Sequence, residues 1–491
     1  MSHRVPIVPA PGPLEDFATA FDDLLERKSQ REAFRRYLEG LLLPSERNKT
    51  LTALANTEPI TGATKPQAQK LQWFLSESTW DPDQINQRRL EMLFTEAQTA
   101  PHEAGVLVID ETGDRKWGSK TAHVGRQYLG SIGKIDNGVV SVSSLWADEL
   151  RYWPIAVKPY TPAHWFKQGK ADEAFRTKPE LALGLVQDAT AAGVPLRAVV
   201  ADTFYGEHLA FRRGLRASGV GYVLALKPSH TWWHRVEEMG SVEEVARAAP
   251  FSEGVPGRWV KVVRRFRDGH QETWWALEGQ SKAYSPARKE RLVIVTTDPQ
   301  ELPEKTTWYL VTNLPVPGSP RALEGALASA DLAEVVRLYG LRVWVEQSYK
   351  QVKGALGWAQ YQVRSDLAIR RHWTLVLLAF SFCWWVVSEL EESLLEFDRH
   401  EQPDEVSFTV ETAACACERA QGEKNRPGRT DLDQLAGSAA AGASVAGTLR
   451  DAVTLLAGVV REGPTGASAS PAGLALDWAA ALPLLPMTTN Y

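Results

Sequence analysis

Between residues 105 and 227 the chain alternates between continuous apolar runs and amphipathic stretches, and this alternation leaves it few folds. GVLVID (105–110), VVSVSSLWA (139–147) and YWPIAV (152–157) come first. ELALGLVQDATAAG has helical spacing, LRAVVAD is apolar again, GEHLAFRRGLRASG is helical, and VGYVLALK (220–227) is apolar. Short apolar runs bounded by turn residues read as buried strands. Three early strands followed by strand–helix–strand units require a mixed sheet covered by helices, so the expected class is α/β. Two of the runs end on an acid, Asp110 and Asp202.

The flanks have a different texture. Residues 1–13 are Pro-rich, and Leu14 to about Glu96 repeats apolar positions at three and four, as in LEDFATAFDDLLERK and REAFRRYLEGLLL. An all-helical unit is expected over 1–100, with Arg31, Arg35, Arg36, Arg47, Lys49, Lys65 and Lys70 able to meet phosphates or to sit on solvated helix faces. After Pro228 come short strand-like pieces dense in Trp: WVKVVRRF, ETWWAL, RLVIVTT and TWYLVTN. They read as a β-rich insertion over 231–321 that divides the α/β unit into 101–230 and 322–395. Residues 396–491 become Ala/Gly/Ser-heavy, a C-terminal region expected to be partly disordered or to serve dimerisation.

Bulk properties exclude several classes. A net charge of −5 means that any nucleic-acid surface must be a local patch. Three cysteines make neither a disulfide framework nor a zinc set, which suits a reducing cytoplasm. The N-terminus lacks a signal-peptide pattern. Trp373 to Leu390 is long enough to raise a membrane span, but two serines and the preceding Arg370, Arg371 and His372 point to a buried core helix.

Tyr339 to Gly357, YGLRVWVEQSYKQVKGALG, has no Pro and Gly only near its ends. On a helix, Arg342, Glu346, Tyr349 and Lys353 fall on one stripe, which sets a carboxylate between two cations. By itself that is an ordinary ion-pair ladder. Likewise, Asp110 could begin a turn and Asp202 could cap the next helix, and Glu111, Asp114, Asp136 or Glu207 could be the working acids instead. Taken together, two strand-end aspartates and a helix glutamate amid cations can hold divalent metal against a phosphodiester. Paired carboxylates with Trp platforms would also suit a glycosidase, but a glutamate flanked by Lys and Arg does not favour it.

These residues resemble those of bacterial insertion-sequence transposases of the DDE (Asp-Asp-Glu) class, in the branch with a β-strand insertion before the Glu. Tyr339, Arg342, Glu346 and Lys353 meet its Tyr-x2-Arg-x3-Glu-x6-Lys signature in full. VIDETGDRKWGSKTAHVGRQYLGSIGKIDNG and VVADTFYGE are similar to its two Asp segments. The resemblance implies an RNase H-like core interrupted by the insertion, with an all-helical N-terminal DNA-binding domain. Asp110, Asp202 and Glu346 would be catalytic and would ligate two Mg2+ ions, for which Mn2+ can substitute. Tyr339, Arg342 and Lys353 would contact phosphates, and Trp308 would stack an extruded base if excision passes through a hairpin.

The implied activity is cut-and-paste transposition by strand hydrolysis and 3′-hydroxyl transesterification. The implied partners are terminal inverted repeats, target DNA and a second copy in a synaptic homodimer. No membrane is involved, and the protein is expected in the cytoplasm, on the nucleoid when bound to DNA. The alternative is a catalytically weak, transposase-derived DNA-binding or regulatory protein, which the presence of all three acids disfavours.

Overall fold

The computed structural model describes residues 7, 9–10, 12–43, 48–55, 66–235, 238–252, 254–266, 270–279 and 290–400. The expectations for residues 401–491 lie outside them.

Five helices come first: α1 (Pro13–Thr19), α2 (Lys28–Leu42), α3 (Leu51–Leu54), α4 (Pro66–Ser76) and α5 (Pro82–Thr95). Local sequence sets their starts. Gln30 accepts from the Arg27 N–H ahead of α2, and Asp81 caps α5 with Pro82 in its first turn.

The expected strand–helix alternation follows as β1 (Val106–Arg115), β2 (Gly125–Leu129), β3 (Lys134–Ala147), β4 (Tyr152–Tyr160), α6 (Lys178–Ala191), β5 (Ala198–Ala201), α7 (Thr203–Gly206), α8 (Leu209–Ala217) and β6 (Tyr222–Leu226). Next come the hairpin β7 (Thr231–Arg235) and β8 (Glu238–Ser241), α9 (Val242–Arg247), and the strands β9 (Val260–Arg265), β10 (Gln271–Gly279), β11 (Arg291–Thr296) and β12 (Thr307–Thr312). The described chain closes with α10 (Pro320–Glu324), α11 (Leu332–Gly340), α12 (Val343–Gly354) and α13 (Asp366–His400).

One large mixed sheet holds most strands, in the order β2-β3-β1-β5-β6-β12-β11-β10-β9, with β4 on β3. β1 is antiparallel to β3 and parallel to β5, and β5 is parallel to β6. This mixed α/β sheet is consistent with an RNase H-like core. The Trp-rich strands do not build a sheet of their own: β12 pairs antiparallel with β6, so they extend the first sheet.

Two boundaries differ from the sequence reading. β1 continues five residues past Asp110, because β3 pairs along it as far as Arg115 with Gly138. Long-range pairing overrides the turn-like composition of Thr112-Gly113-Asp114, and Gly113 fits because a Cβ there would lie 2.7 Å from Leu129. The 339–357 helix is in fact two, broken between Gly340 and Val343, with Arg342 capping the second.

α13 carries the long apolar run. Its Leu375–Phe380 segment is buried, and no helix among the described residues is long and apolar enough to cross a membrane. What covers it is the N-terminal helices: Phe17 meets Phe382 at 5.4 Å, and the fully buried Arg89 donates to Ser381 and to the Ile155 carbonyl. Arg371 donates to the carbonyls of Leu75, Ser78 and Trp80.

His372 on α13 locks this interface. Its Nε2 donates to the Gly357 carbonyl at 3.2 Å, so Nδ1 accepts from the Tyr37 hydroxyl at 2.8 Å, a pairing that needs the neutral ring. Burial is the main force pushing its pKa down, to about 4. The unfolded chain therefore binds the proton first, and stability is lost as pH falls from about 6.5 towards 4, by about 3 kcal/mol in all. Urea unfolding at pH 7 and pH 4.5 should show this loss in the wild type and a smaller one in His372→Gln. Equal acid losses in the two proteins would refute the assignment.

Candidate active site

β1 and β5 are parallel neighbours with Ile109 opposite Ala201, so the next residues, Asp110 and Asp202, lie side by side where β5 ends. Asp110 lies within its strand and is buried. Asp202 ends its strand and also caps α7, accepting from the Phe204 N–H at 3.0 Å, so the capping role anticipated for it is real. Its charge is felt by Asp110.

α12 packs over the same sheet face. The stripe read from the sequence points inward: Arg342 reaches Asp110 at 2.8 Å, Tyr349 meets the Ser143 hydroxyl at 2.6 Å, and Lys353 reaches Asp114 at 2.7 Å and the Gly113 carbonyl at 3.2 Å. Glu346 is more exposed, and its carboxylate is held by the other arm of Arg342 at 2.9 Å. A single guanidinium thus bridges the first and third acids.

Electrostatics follow from this packing. Burial drives the Asp110 carboxyl above the usual carboxylate range, Arg342 pulls it back, and the Asp202 charge pushes it further up. For Arg342, burial opposes the charge, but the carboxylates around it prevail and hold it protonated. The Arg342 Nε–H is buried and has no hydrogen-bond partner among the described residues.

The competing acids are all occupied. Glu111 pairs with Lys178 at 2.6 Å and accepts from Tyr205 at 3.0 Å. Asp114 takes Lys353, Asp136 takes Arg115 at 3.1 Å, and Glu207 takes His230 at 2.9 Å. Asp110 and Glu346 are likewise paired, but both with the same Arg342, and Asp202 lies beside them. As they stand, no group of three or more His, Cys, Asp or Glu among the described residues is disposed to hold a metal ion.

The remaining expected residues lie on the seam between α11 and the extended sheet. Tyr339, the end of α11, meets Trp308 at 5.0 Å, and Trp308 meets Trp274 at 4.5 Å. Arg264, which the sequence reading missed, lies 4.8 Å over both indoles. Its guanidinium occupies the space left by the absent Cβ of Gly340, where a methyl group would lie 2.8 Å away. An arginine in a strand is no signal by itself. The serines of VVSVSSLWA were a better one, since Ser141 and Ser143 put hydroxyls into a buried apolar strand opposite Thr112 and Asp110.

In the N-terminal helices, most cations considered for phosphates serve the fold instead. Arg31 donates to the Leu25 carbonyl, Arg35 pairs with Glu15 and Asp22, and Arg36 pairs with Glu39. Lys49 is buried and donates to the carbonyls of Gly40, Leu41 and Leu43. Lys70 is exposed, while Arg47 and Lys65 lie outside the described residues.

Replacing Arg342 with Ala leaves Asp110 buried beside Asp202 without a counter-charge. Breaking a buried pair in this way costs about 3 kcal/mol. The cost should grow with pH, because a carboxyl held above its unfolded pKa loses stability as it ionises. Denaturant midpoints at pH 5 and pH 8 check this; a variant whose deficit is the same at both would show that Asp110 does not depend on Arg342.

Comparison with known proteins gives the family of the chain. The family model described as DDE superfamily endonuclease matches residues 20–293, a span that contains Asp110 and Asp202 and stops before Glu346. A protein of Microchaete diplosiphon, described as a probable transposase for insertion sequence element IS701, is 30% identical over 361 residues, covering 73% of this chain and 83% of that protein.

Proposed function

We propose a reaction from the family to which the chain belongs: it is a DDE-type transposase of an insertion sequence, a member of the DDE superfamily of endonucleases. In this reading it binds the terminal inverted repeats of its element and excises it by Mg2+-dependent strand hydrolysis. The freed 3′-hydroxyl then attacks target DNA, in a synaptic complex containing two copies of the chain. The observation that carries the reading is the bridging of Asp110 and Glu346 by Arg342 beside Asp202.

The donor set fits a divalent cation. Asp110 and Asp202 offer hard carboxylate oxygens on adjacent strands, and their mutual repulsion requires positive charge. These two and Glu346 would hold it, Glu346 after leaving Arg342. When bound, such an ion relieves charge on the phosphate and acidifies a nucleophilic water.

The chain's own residues do the positioning. Arg342 exchanges a carboxylate for a phosphate oxygen and gains a partner for its unused Nε–H. Lys353 sits about three turns further along the same stripe, placed for a phosphate farther along the DNA backbone. Tyr339 and the half-buried Trp308 bracket the entrance. A Trp308 ring released from Tyr339 would stack a flipped base, an interaction worth about 1–3 kcal/mol.

The test is cleavage of a plasmid carrying the DNA that flanks the gene. Cuts at inverted-repeat ends should appear with Mg2+, disappear with EDTA, and fall to background in Asp110→Ala, Asp202→Ala and Glu346→Gln. Full cutting by any one variant would move the site to another acid, and cutting in EDTA would sink the metal-dependent reading. Arg342→Ala should weaken end binding as well as cleavage, and unchanged end binding would remove it from the phosphate contacts.

A further inference from the structure

The sheet face that carries Asp110 runs beyond the end of α12. Side chains of paired residues share a face. Asp110, Thr112 and Asp114 of β1 pair with Ser143, Ser141 and Val139 of β3, so the same face of β3 continues with Asn137 and Ile135. Those two pair with Arg126 and Tyr128 of β2. The α12 helix covers this face as far as Asp114, where Lys353 lands, and ends at Gly354. Past that point the face is open: Tyr128 is 57% and Ile135 59% exposed, on a strand at the sheet edge.

The rim of this open face is cationic. Lys120, in the loop after β1, and Arg126 are exposed and have no carboxylate partner among the described residues. Within 115–138 the one acid is Asp136, already paired with Arg115. The loop after β1 projects Trp117, 86% exposed, and is anchored from the same face by Asn137, whose amide donates to the carbonyls of Lys116 at 2.6 Å and Gly118 at 3.0 Å. An edge strand normally hides its rings. Here exposed rings and unpaired cations stand together on a chain whose overall charge is −5.

We propose that this face, on β2, β3 and the Trp117 loop, is a docking surface for target DNA, continuing the line of phosphate contacts beyond Lys353. The inference rests on the transposase reading and names the surface that brings the second DNA to the site. The occupant follows from charge and chemistry. Unpaired cations suit a phosphodiester backbone. The two amides of the region are spent internally, Gln127 on the Gly138 carbonyl and Asn137 on the loop. What remains favours contact with the backbone and sugar faces over base reading, and target DNA is the substrate taken without a fixed sequence.

The test uses the full chain and a fluorescent duplex of random sequence lacking the inverted repeats. Arg126→Ala with Lys120→Ala should weaken binding and make the plot of log affinity against log salt shallower by about two, near one for each lost phosphate contact. Tyr128→Ala should weaken binding with the salt slope unchanged. Unaltered affinity and slope in both variants would overturn the proposal. End cleavage by the same variants identifies the DNA concerned: a loss of end cleavage matching the loss of random-duplex binding would assign the face to transposon ends and overturn target docking. Binding needs no catalysis, so a wild-type protein that binds the random duplex but cuts nothing would fail the transposition reading without touching this one.

Discussion

The arrangement of the site depends on one buried guanidinium. Two carboxylates leave adjacent parallel strands side by side, and a buried pair of like charges is unstable unless a cation joins it. Arg342 is that cation. It stands at the N-cap position of α12, just after the turn at Gly340–Leu341, and reaches Asp110 from there. The same side chain fixes Glu346 with its second arm, so the three acids are organised around one positive charge.

Placing α12 this well takes support from both sides. On one side, α13 is gripped by the N-terminal helices through arginines buried against carbonyls, Arg89 and Arg371. These arginines cannot be satisfied by solvent, so their hydrogen bonds impose one orientation. On the other side, Tyr152 of β4 stacks on Trp344 at 4.6 Å and donates to Gln351 at 3.0 Å, fixing the outer side of α12. The helical N-terminus is therefore part of the scaffold that holds the site, and much of its basic composition is consumed in that task.

Much of this was legible in the sequence, because strand periodicity and the Arg342–Lys353 stripe are local signals. The strands, their order of appearance and the inward face of α12 follow from spacing. What did not follow depends on contacts distant in sequence. Nothing near Asp110 announces that β1 continues to Arg115; the partner that extends it, β3, begins nineteen residues later. Nor can composition tell an arginine that meets a phosphate from one that caps carbonyls, as Arg31 and Lys49 do. The partners of Glu111, Asp114, Asp136 and Glu207 likewise lie far away in sequence or could not be read from composition.

The joining of the Trp-rich strands to the first sheet changes what they can do. A separate domain on linkers could move independently of the acids. A sheet hydrogen-bonded through β12 to β6 is held to β5, and hence to Asp202, by continuous backbone pairing. Trp308 then reaches Tyr339 from a fixed base, and Arg264 fills the space beside Gly340 where any larger residue would displace it. Tyr339 lies in the last turn of α11, and α11 leads within two residues to Arg342. The aromatic seam is thus connected through the end of α11 to the guanidinium that holds the acids.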